Sequence, residues 1–406
     1  MRTREMNDMQ KAGRTRGITL LIIFLAIVVS GFVFSIFHIR GIAETGRKQL
    51  SSVLHGKSSV SEAPAAFESY YDALYSAQPW SLDVFSLTQR ALCKHETRNF
   101  EVLRANNCAL YLHGTEGEIN VKDLETFADE CELLYEAANE NGGKFLYVQA
   151  PFKNVGQAPE LADYSGDITE ESESYLDDLI RAKGIPVLDL REFSECTEYY
   201  NTDHHWTVGS SFNASRIIGD EIEKTYGIDL KGHDYYGDMN NYDPVTYKDC
   251  FLGSIGIKVG PYFGGRDDFT FYDPKFETDL EFEHYIDNKL DFEHSGSFRD
   301  TFIDQAILED SKFYNKFEAN MYGAYVESII HNHKAENDYK ALLITHSYGR
   351  SMAEYMCLDY SELRYLDPQK GRYNDDLVEY IKEYKPDVVI YMFNDAINVG
   401  DGKWTE

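Results

Sequence analysis

Four short stretches of this chain are apolar at every position: Phe145-Leu146-Tyr147-Val148, Ile185-Pro186-Val187-Leu188, Ala341-Leu342-Leu343-Ile344 and Val388-Val389-Ile390-Tyr391-Met392. A strand with one wet face alternates apolar and polar residues; a strand that does not alternate must be covered on both faces. Parallel sheets layered between helices supply that cover. Val121, Leu124, Ala128, Cys131, Leu134 and Ala138 recur at helical spacing, and Gly142-Gly143 ends that segment just before Phe145. The expected fold class is α/β, a sandwich with a parallel central sheet between helices.

Ile18 to Phe37 carries no charged residue and is long enough at helical rise to cross a bilayer. Before it, Arg2, Arg4, Lys11, Arg14 and Arg16 outnumber Glu5 and Asp8, which places the N-terminus in the cytoplasm, although Arg40, Arg47 and Lys48 follow on the other side. The expected layout is a cytoplasmic tail at 1–16, one transmembrane anchor at 17–39, a stalk at 40–66 and an outward-facing domain over 67–406, with order beginning near Phe67. A cleaved signal peptide is the rival; the length of the run and the lack of a small-x-small site directly after it favour the anchor.

A formal charge of −30 argues against affinity for nucleic acid or anionic lipid surfaces. Cys93, Cys108, Cys131, Cys196, Cys250 and Cys357 are scattered, with no Cys-x-x-Cys pair of the kind that binds zinc or does redox work. Outside the cell Cys93 and Cys108 could pair, but the free, buried thiol is the commoner state. From about 231 to 320 the composition shifts to Tyr, Phe, Asp and Gly, with Gly253, Gly256, Gly260, Gly264 and Gly265 close together and Phe269 and Phe271 alternating with polar neighbours. This reads as an insertion of loops and hairpins. Its aromatic residues are open to two readings, platforms for sugar rings or plain core.

Two segments carry an acid, a base and a hydroxyl: Asp203-His204-His205-Trp206, and Thr345-His346-Ser347-Tyr348 after the apolar stretch at 341–344. A hydroxyl is a weak nucleophile unless an imidazole takes its proton and a carboxylate orients that imidazole. If 201–206 is extended, Asp203 and His205 share a face and His204 points away. Thr207 is the expected N-cap of a helix whose Val208, Phe212, Ile218 and Ile222 dock on the sheet. The alternative for Asp203 and His205 is a structural hydrogen bond. A metal site at Asp203, His204 and His205 is disfavoured, since neighbours in an extended chain diverge, and His331 and His333 read as surface residues on a helix-to-strand connection. Ser347 stands where a strand turns into a helix, as a nucleophile or as an N-cap, and Asn394 closes the last apolar strand, as an oxyanion donor or as a turn residue.

Asn201-Thr202-Asp203-His204-His205-Trp206-Thr207 followed by Thr345-His346-Ser347-Tyr348 resembles the DHHW family and the related extracytoplasmic proteins of alginate and exopolysaccharide O-acetylation, which are SGNH hydrolase-like. The resemblance implies a flavodoxin-like α/β/α sandwich with circularly permuted motif order. It maps the acid onto Asp203, the base onto His205 and the nucleophile onto Ser347, with His204 at the variable position. Asn394, Tyr348, Arg350 and Trp206 are then assigned to oxyanion and substrate binding. The segment Phe393-Asn394-Asp395 lacks the glycine of the third SGNH block, and His346 stands where aspartate is common. Trp206 in place of cysteine separates the chain from the palmitoyl-transferring Asp-His-His-Cys enzymes. The implied activity is an O-acetyltransferase or acetylesterase acting on a cell-surface or secreted polysaccharide, with no cofactor and no metal, beside a multi-span membrane acyltransferase that delivers acetyl groups. The rival is a non-catalytic carbohydrate-binding or assembly protein.

Overall fold

The computed structural model describes residues 18, 21–22, 24–26, 28–31, 33, 35–54, 79–154, 167–286, 289–323, 325–370 and 377–394. The expected tail at 1–16, stalk residues 55–66, the start near Phe67 and Asp395 lie outside the described residues. The chain divides into two compact units, Met1–Val84 and Phe85–Glu406.

In the first unit every described residue between 18 and 37 is helical, and Ile18, Leu21, Phe24, Val28 and Val33 are exposed. The helix breaks at His38, whose N–H bonds to the Ser35 carbonyl while Ser35 Oγ back-bonds the Gly31 carbonyl at 2.8 Å, a side-chain bond that bends helices. A second helix, Ile39–Leu54, occupies the first part of the expected stalk. Among the described residues no single helix is long and apolar enough to cross a membrane. Phe24–Phe37 and Ile39–Val53 meet that requirement only as a pair bent by 76°. The single span expected at 17–39 is therefore not shown among the described residues.

The second unit contains a small antiparallel sheet of β1 (Glu96–Thr97), β2 (Val102–Arg104) and β3 (Leu110–Leu112). The central sheet uses β4 (Lys144–Gln149) and β5 (Val187–Asp189). A hairpin of β6 (Tyr242–Phe251) and β7 (Asp267–Pro274) stands apart from it. Then come β8 (Leu280–Ile286), β9 (Lys289–Gly296), β10 (Glu327–Asn332), β11 (Lys340–Thr345), β12 (Glu362–Leu366) and β13 (Val388–Phe393). The central sheet has the order β5-β4-β13-β11-β12-β10-β8-β9. Its first five strands are parallel, with Leu146 and Leu343 both beside Ile390.

The helices covering this sheet are α1 (Val121–Glu140), α2 (Thr169–Ala182), α3 (Val208–Tyr226), α4 (Arg350–Met356) and α5 (Leu377–Tyr384). On one face Leu146, Val148, Leu343, Ile390 and Met392 pack with Val208, Phe212, Ile218 and Ile222 of α3 and Met352 and Met356 of α4. On the other, Phe145, Tyr147, Leu342, Ile344, Val389 and Tyr391 pack with Phe127, Cys131 and Leu134 of α1, Leu176 and Ile180 of α2 and Ile381 of α5. This three-layer α/β arrangement explains why β13 is buried at all six positions.

Several expectations change. The sheet is only partly parallel: β10, β8 and β9 extend it antiparallel, because the 231–320 segment contributes a hairpin that pairs with the sheet through β10. Phe269 and Phe271 are fully buried with Phe251 and Phe282, so this stripe is core and offers no sugar platform. The second apolar stretch starts pairing only at Val187, after Pro186, which has no N–H to give a ladder. His331 lies inside β10. All six cysteines are free, and only Cys131 and Cys357 are buried.

Thr207 caps α3, its side chain accepting from the Ser210 N–H. Thr207→Ala should cost about 1 kcal/mol of stability, read as a lowered denaturation midpoint.

Candidate active site

The C-terminal ends of the parallel strands β4, β11 and β13 share one edge, where open α/β sheets place their sites. Beyond β5, the chain makes a narrow loop: Tyr199 pairs with Trp206, the Thr207 N–H reaches the Glu198 carbonyl at 2.8 Å, and the Tyr200 N–H reaches the His205 carbonyl at 3.3 Å. Asn201 to His204 form its tip as a series of bends. After β11, Ser347–Gly349 form a single 3-10 turn that leads into α4.

These two segments, 142 residues apart, meet. His205 Nε2 lies 2.8 Å from Ser347 Oγ, and His205 Nδ1 lies 2.5 Å from Asp203 Oδ1. Asp203 is fully buried. Its Oδ1 also accepts the His205 backbone N–H at 2.9 Å, and its Oδ2 accepts the Ser254 N–H at 2.5 Å. Burial alone would raise the carboxyl, but the charges of His205 and His204 and these hydrogen bonds hold it well below the usual carboxylate range. An ionised Asp203 only accepts, so His205 Nδ1 carries the proton and Nε2 is left to accept from the Ser347 hydroxyl. Burial pushes the His205 imidazole below its ordinary value and His204 adds to this, against the pull of Asp203. His205 is therefore neutral near neutral pH.

Three devices hold this geometry. Lys153, buried just after β4, donates to the carbonyls of Leu110 (2.6 Å), Tyr200 (2.7 Å), Asn201 (3.1 Å) and Asp203 (2.8 Å), tying the loop to β3. Burial lowers its ammonium to about 7, with Asp203 and Asp267 opposing. Asp267 in β7 accepts the Asn201 and Thr202 N–H groups, each at 2.8 Å, and the Thr202 hydroxyl at 2.6 Å. Tyr348 locks the loop to the Ser347 turn: its hydroxyl donates to the His204 carbonyl at 2.5 Å, and its own carbonyl accepts from Trp206 Nε1 at 3.1 Å.

The His205 ring is fixed as well. Phe317 stacks on it with centroids 3.9 Å apart and planes 13° apart, and His204 lies at the same centroid distance with a 37° tilt. Two rings that close cannot share one face, so His205 is clamped between them. Arg350 backs Phe317 at 5.0 Å and bonds Glu318 through both terminal nitrogens, at 2.8 and 3.3 Å.

Asp203, His205 and Ser347 thus stand together as the sequence suggested. His204 does not point away from them. The Asp203 carboxylate accepts the His205 N–H two residues on, which bends the segment and removes the alternation of an extended strand. His204 instead bonds Ser254 Oγ through Nδ1 at 2.7 Å. Trp206, Tyr348 and Arg350, assigned to substrate binding, are each at most 2 % exposed and serve as internal pins. Asn394 is buried at the end of β13, with its Oδ1 2.7 Å from His346 Nε2. His346, not Ser347, caps the turn, its Nδ1 accepting the Tyr348 N–H at 3.2 Å.

Asp203, His204 and His205 offer ligand atoms within 4.8 Å of one another, as do Glu281, Glu283 and Glu293 on β8 and β9. In the first group both His205 nitrogens, His204 Nδ1 and both Asp203 oxygens already have partners, so a cation would have to displace the hydrogen bonds just described.

Sequence reasoning missed Lys153, Ser254, Asp267 and Phe317. The signal at Gly253 was visible as one glycine among several. A Cβ there would lie 2.3 Å from the Cβ of Asp203, so only glycine lets the Ser254 amide reach the carboxylate.

No protein-family model and no curated protein matches the sequence. The fold does match solved structures. Bacillus cereus PatB1, in a structure with a sulfonyl adduct, superposes with a TM-score of 0.61 at 18% identity, covering 76% of this chain and 100% of PatB1. The chain shares the fold of PatB1. A DHHW family protein from Eubacterium siraeum superposes with a TM-score of 0.54 at 18% identity, covering 74% of this chain and 92% of that protein. The likeness read from the motifs thus has a structural counterpart.

Lys153→Met should destabilise the protein on the order of 3 kcal/mol, since each buried carbonyl left unpaired costs about 1–3 kcal/mol. An unchanged denaturation midpoint would mean that the loop holds itself.

Proposed function

We propose that this protein is an SGNH-like serine O-acetyltransferase or acetylesterase that acts on a cell-surface or secreted polysaccharide. The observation that carries the reading is the unbroken relay from Asp203 Oδ1 through His205 to Ser347 Oγ, with links of 2.5 and 2.8 Å. The fold shared with PatB1, itself obtained with a sulfonyl adduct, is compatible with it.

In the proposed reaction Ser347 Oγ forms a bond to the acyl carbonyl carbon as its proton passes to His205 Nε2, and the carbonyl electron pair moves onto oxygen. Collapse of that oxyanion expels the donor alkoxide, which takes the proton from His205 and leaves the acyl group on Oγ. An acceptor hydroxyl then gives its proton to Nε2 and attacks the acyl carbon, and Ser347 leaves and recovers the proton. A sugar hydroxyl makes this transfer; water makes it hydrolysis. Asp203 orients the imidazole and stabilises its charged form. The Ser347 N–H, for which no acceptor is found among the described residues, and the Asn394 amide are the proposed oxyanion donors.

Placement completes the reading: residues 17–39 anchor the chain, 1–16 lie in the cytoplasm, 40–66 form the stalk and 67–406 face outward. The exposed apolar side chains along 18–37 support it, the bend at His38 then lying at the outer boundary. Acetyl groups would come from a multi-span membrane acyltransferase.

Purified full-length protein should hydrolyse p-nitrophenyl acetate, and Ser347→Ala should lower kcat/KM on the order of 10⁴-fold with an unchanged circular dichroism spectrum. Equal rates would remove Ser347 from the mechanism. Adding an acetylated and a free oligosaccharide separates transfer from hydrolysis.

The working base is neutral His205, whose folded value lies below the ordinary 6.5. As pH falls, the rate should therefore hold through 6.5 and decline only below it; an acid limb at or above 6.5 would contradict the buried setting. Chelators should leave the rate unchanged, whereas a loss restored by one divalent cation would make Asp203, His204 and His205 a metal site.

A further inference from the structure

His346 occupies the position before Ser347 and is buried. Its Nδ1 accepts the Tyr348 backbone N–H at 3.2 Å. A backbone N–H can only donate, so Nδ1 carries no proton and the neutral ring bears its hydrogen on Nε2. That Nε2–H lies 2.7 Å from Asn394 Oδ1 and donates to it. The fixed backbone donor therefore sets the histidine tautomer, and the tautomer sets which end of the Asn394 amide faces inward. With Oδ1 held by His346, the NH₂ group turns to the other side. The Tyr348 hydroxyl holds the His204 carbonyl on the loop that carries Asp203 and His205. A flipped amide would set Nδ2 against Nε2–H, donor against donor, in a site where neither group can turn to water.

The ring has little freedom to change this. The His346 carbonyl accepts from the Tyr365 hydroxyl at 2.9 Å and from the Gly349 N–H at 2.9 Å, and the ring packs edge-on against Tyr348 and Phe393. Burial keeps it neutral, lowering it to about 4 while Asn394 opposes.

We propose that His346 is a positioning residue for the acyl-transfer reaction, holding the Asn394 amide so that its NH₂, and not its carbonyl, is presented to the oxyanion formed at Ser347. This rests on the proposed function. His346 touches no reacting atom and acts through Asn394. A reversed amide would aim oxygen lone pairs at a developing negative charge, so the penalty falls on the transition state and not on substrate binding.

The test is an isosteric pair. His346→Gln keeps an acceptor for the Tyr348 N–H and an N–H₂ donor for Asn394 Oδ1, whereas His346→Glu offers two acceptors and draws the Asn394 NH₂ to itself. On p-nitrophenyl acetate, His346→Gln should stay within about 10-fold of the parent, and His346→Glu should lose about 10²–10³-fold in kcat with KM little changed, the usual loss for one oxyanion donor. Asn394→Ala should lose the same amount. Adding His346→Glu to Asn394→Ala should lower kcat no further, because the residue it acts through is gone. Thermal unfolding of each variant separates misfolding from mispositioning. If His346→Glu does not fold, the comparison of His346→Gln with His346→Phe, which has no donor, replaces it. Equal kcat for the donor-bearing and donor-lacking variants, or losses that multiply with Asn394→Ala, would overturn this inference while leaving Ser347-dependent turnover in place. A parent protein without Ser347-dependent turnover would overturn the proposed function and this inference with it.

Discussion

An ionised carboxylate with no exposed surface is costly, and the arrangement around Asp203 meets that cost. A charge taken out of water must be repaid by hydrogen bonds and opposite charge. Asp203 receives the His205 imidazole, the His205 backbone amide and the Ser254 amide, with Lys153 bonded to its own carbonyl. Each partner then imposes a further condition. The Ser254 amide can approach only because residue 253 lacks a Cβ. The Lys153 ammonium gathers the inward carbonyls of the loop that carries Asp203 and His205.

The site is consequently assembled from three distant parts of the chain. The parallel strands β4, β11 and β13 supply a rigid edge that carries Lys153, Ser347 and Asn394. The loop after β5 supplies Asp203 and His205. The 231–320 segment supplies Gly253, Ser254, Asp267 and Phe317, so it is a wall of the site and not an appendage to the fold. Aromatic side chains there do two jobs: Phe251, Phe269, Phe271, Phe282, Phe298 and Phe302 fill the core, and Phe317 stacks on the His205 ring to fix its plane. Arg350 and Glu318 form a mostly covered pair behind Phe317. The Arg350 Nε finds no partner there, so the pair serves more to set direction than to add stability.

Much of this was legible in the residues. Wholly apolar stretches gave the parallel strands, helical spacing gave α1 and α3, and the Thr207 cap marked where α3 begins. Asp203, His205 and Ser347 were identifiable because acid, base and hydroxyl stood beside strand ends. His204 was misread because an extended segment was assumed, and a carboxylate that caps the amide two residues on bends the chain. The buried partners of Trp206, Tyr348 and Arg350 were not foreseen, because polar atoms on large side chains look the same in sequence whether they meet substrate or a buried carbonyl. Lys153 gave no signal at all: one lysine among many, distinguished only by the four carbonyls that converge on it.

The sequence by itself determined what depends on local periodicity and local chemistry: the α/β class, the apolar N-terminal run, the candidate acid, base and nucleophile, and the cap before α3. Tertiary structure alone decided what depends on residues far apart in the chain. It joined β8 and β9 to the sheet, brought Ser347 to His205 across 142 residues, and turned His346 toward Asn394. The reason is physical. Periodicity is written along one chain, whereas the burial that selects a protonation state, a tautomer or an amide orientation exists only once several segments have excluded water from the same place.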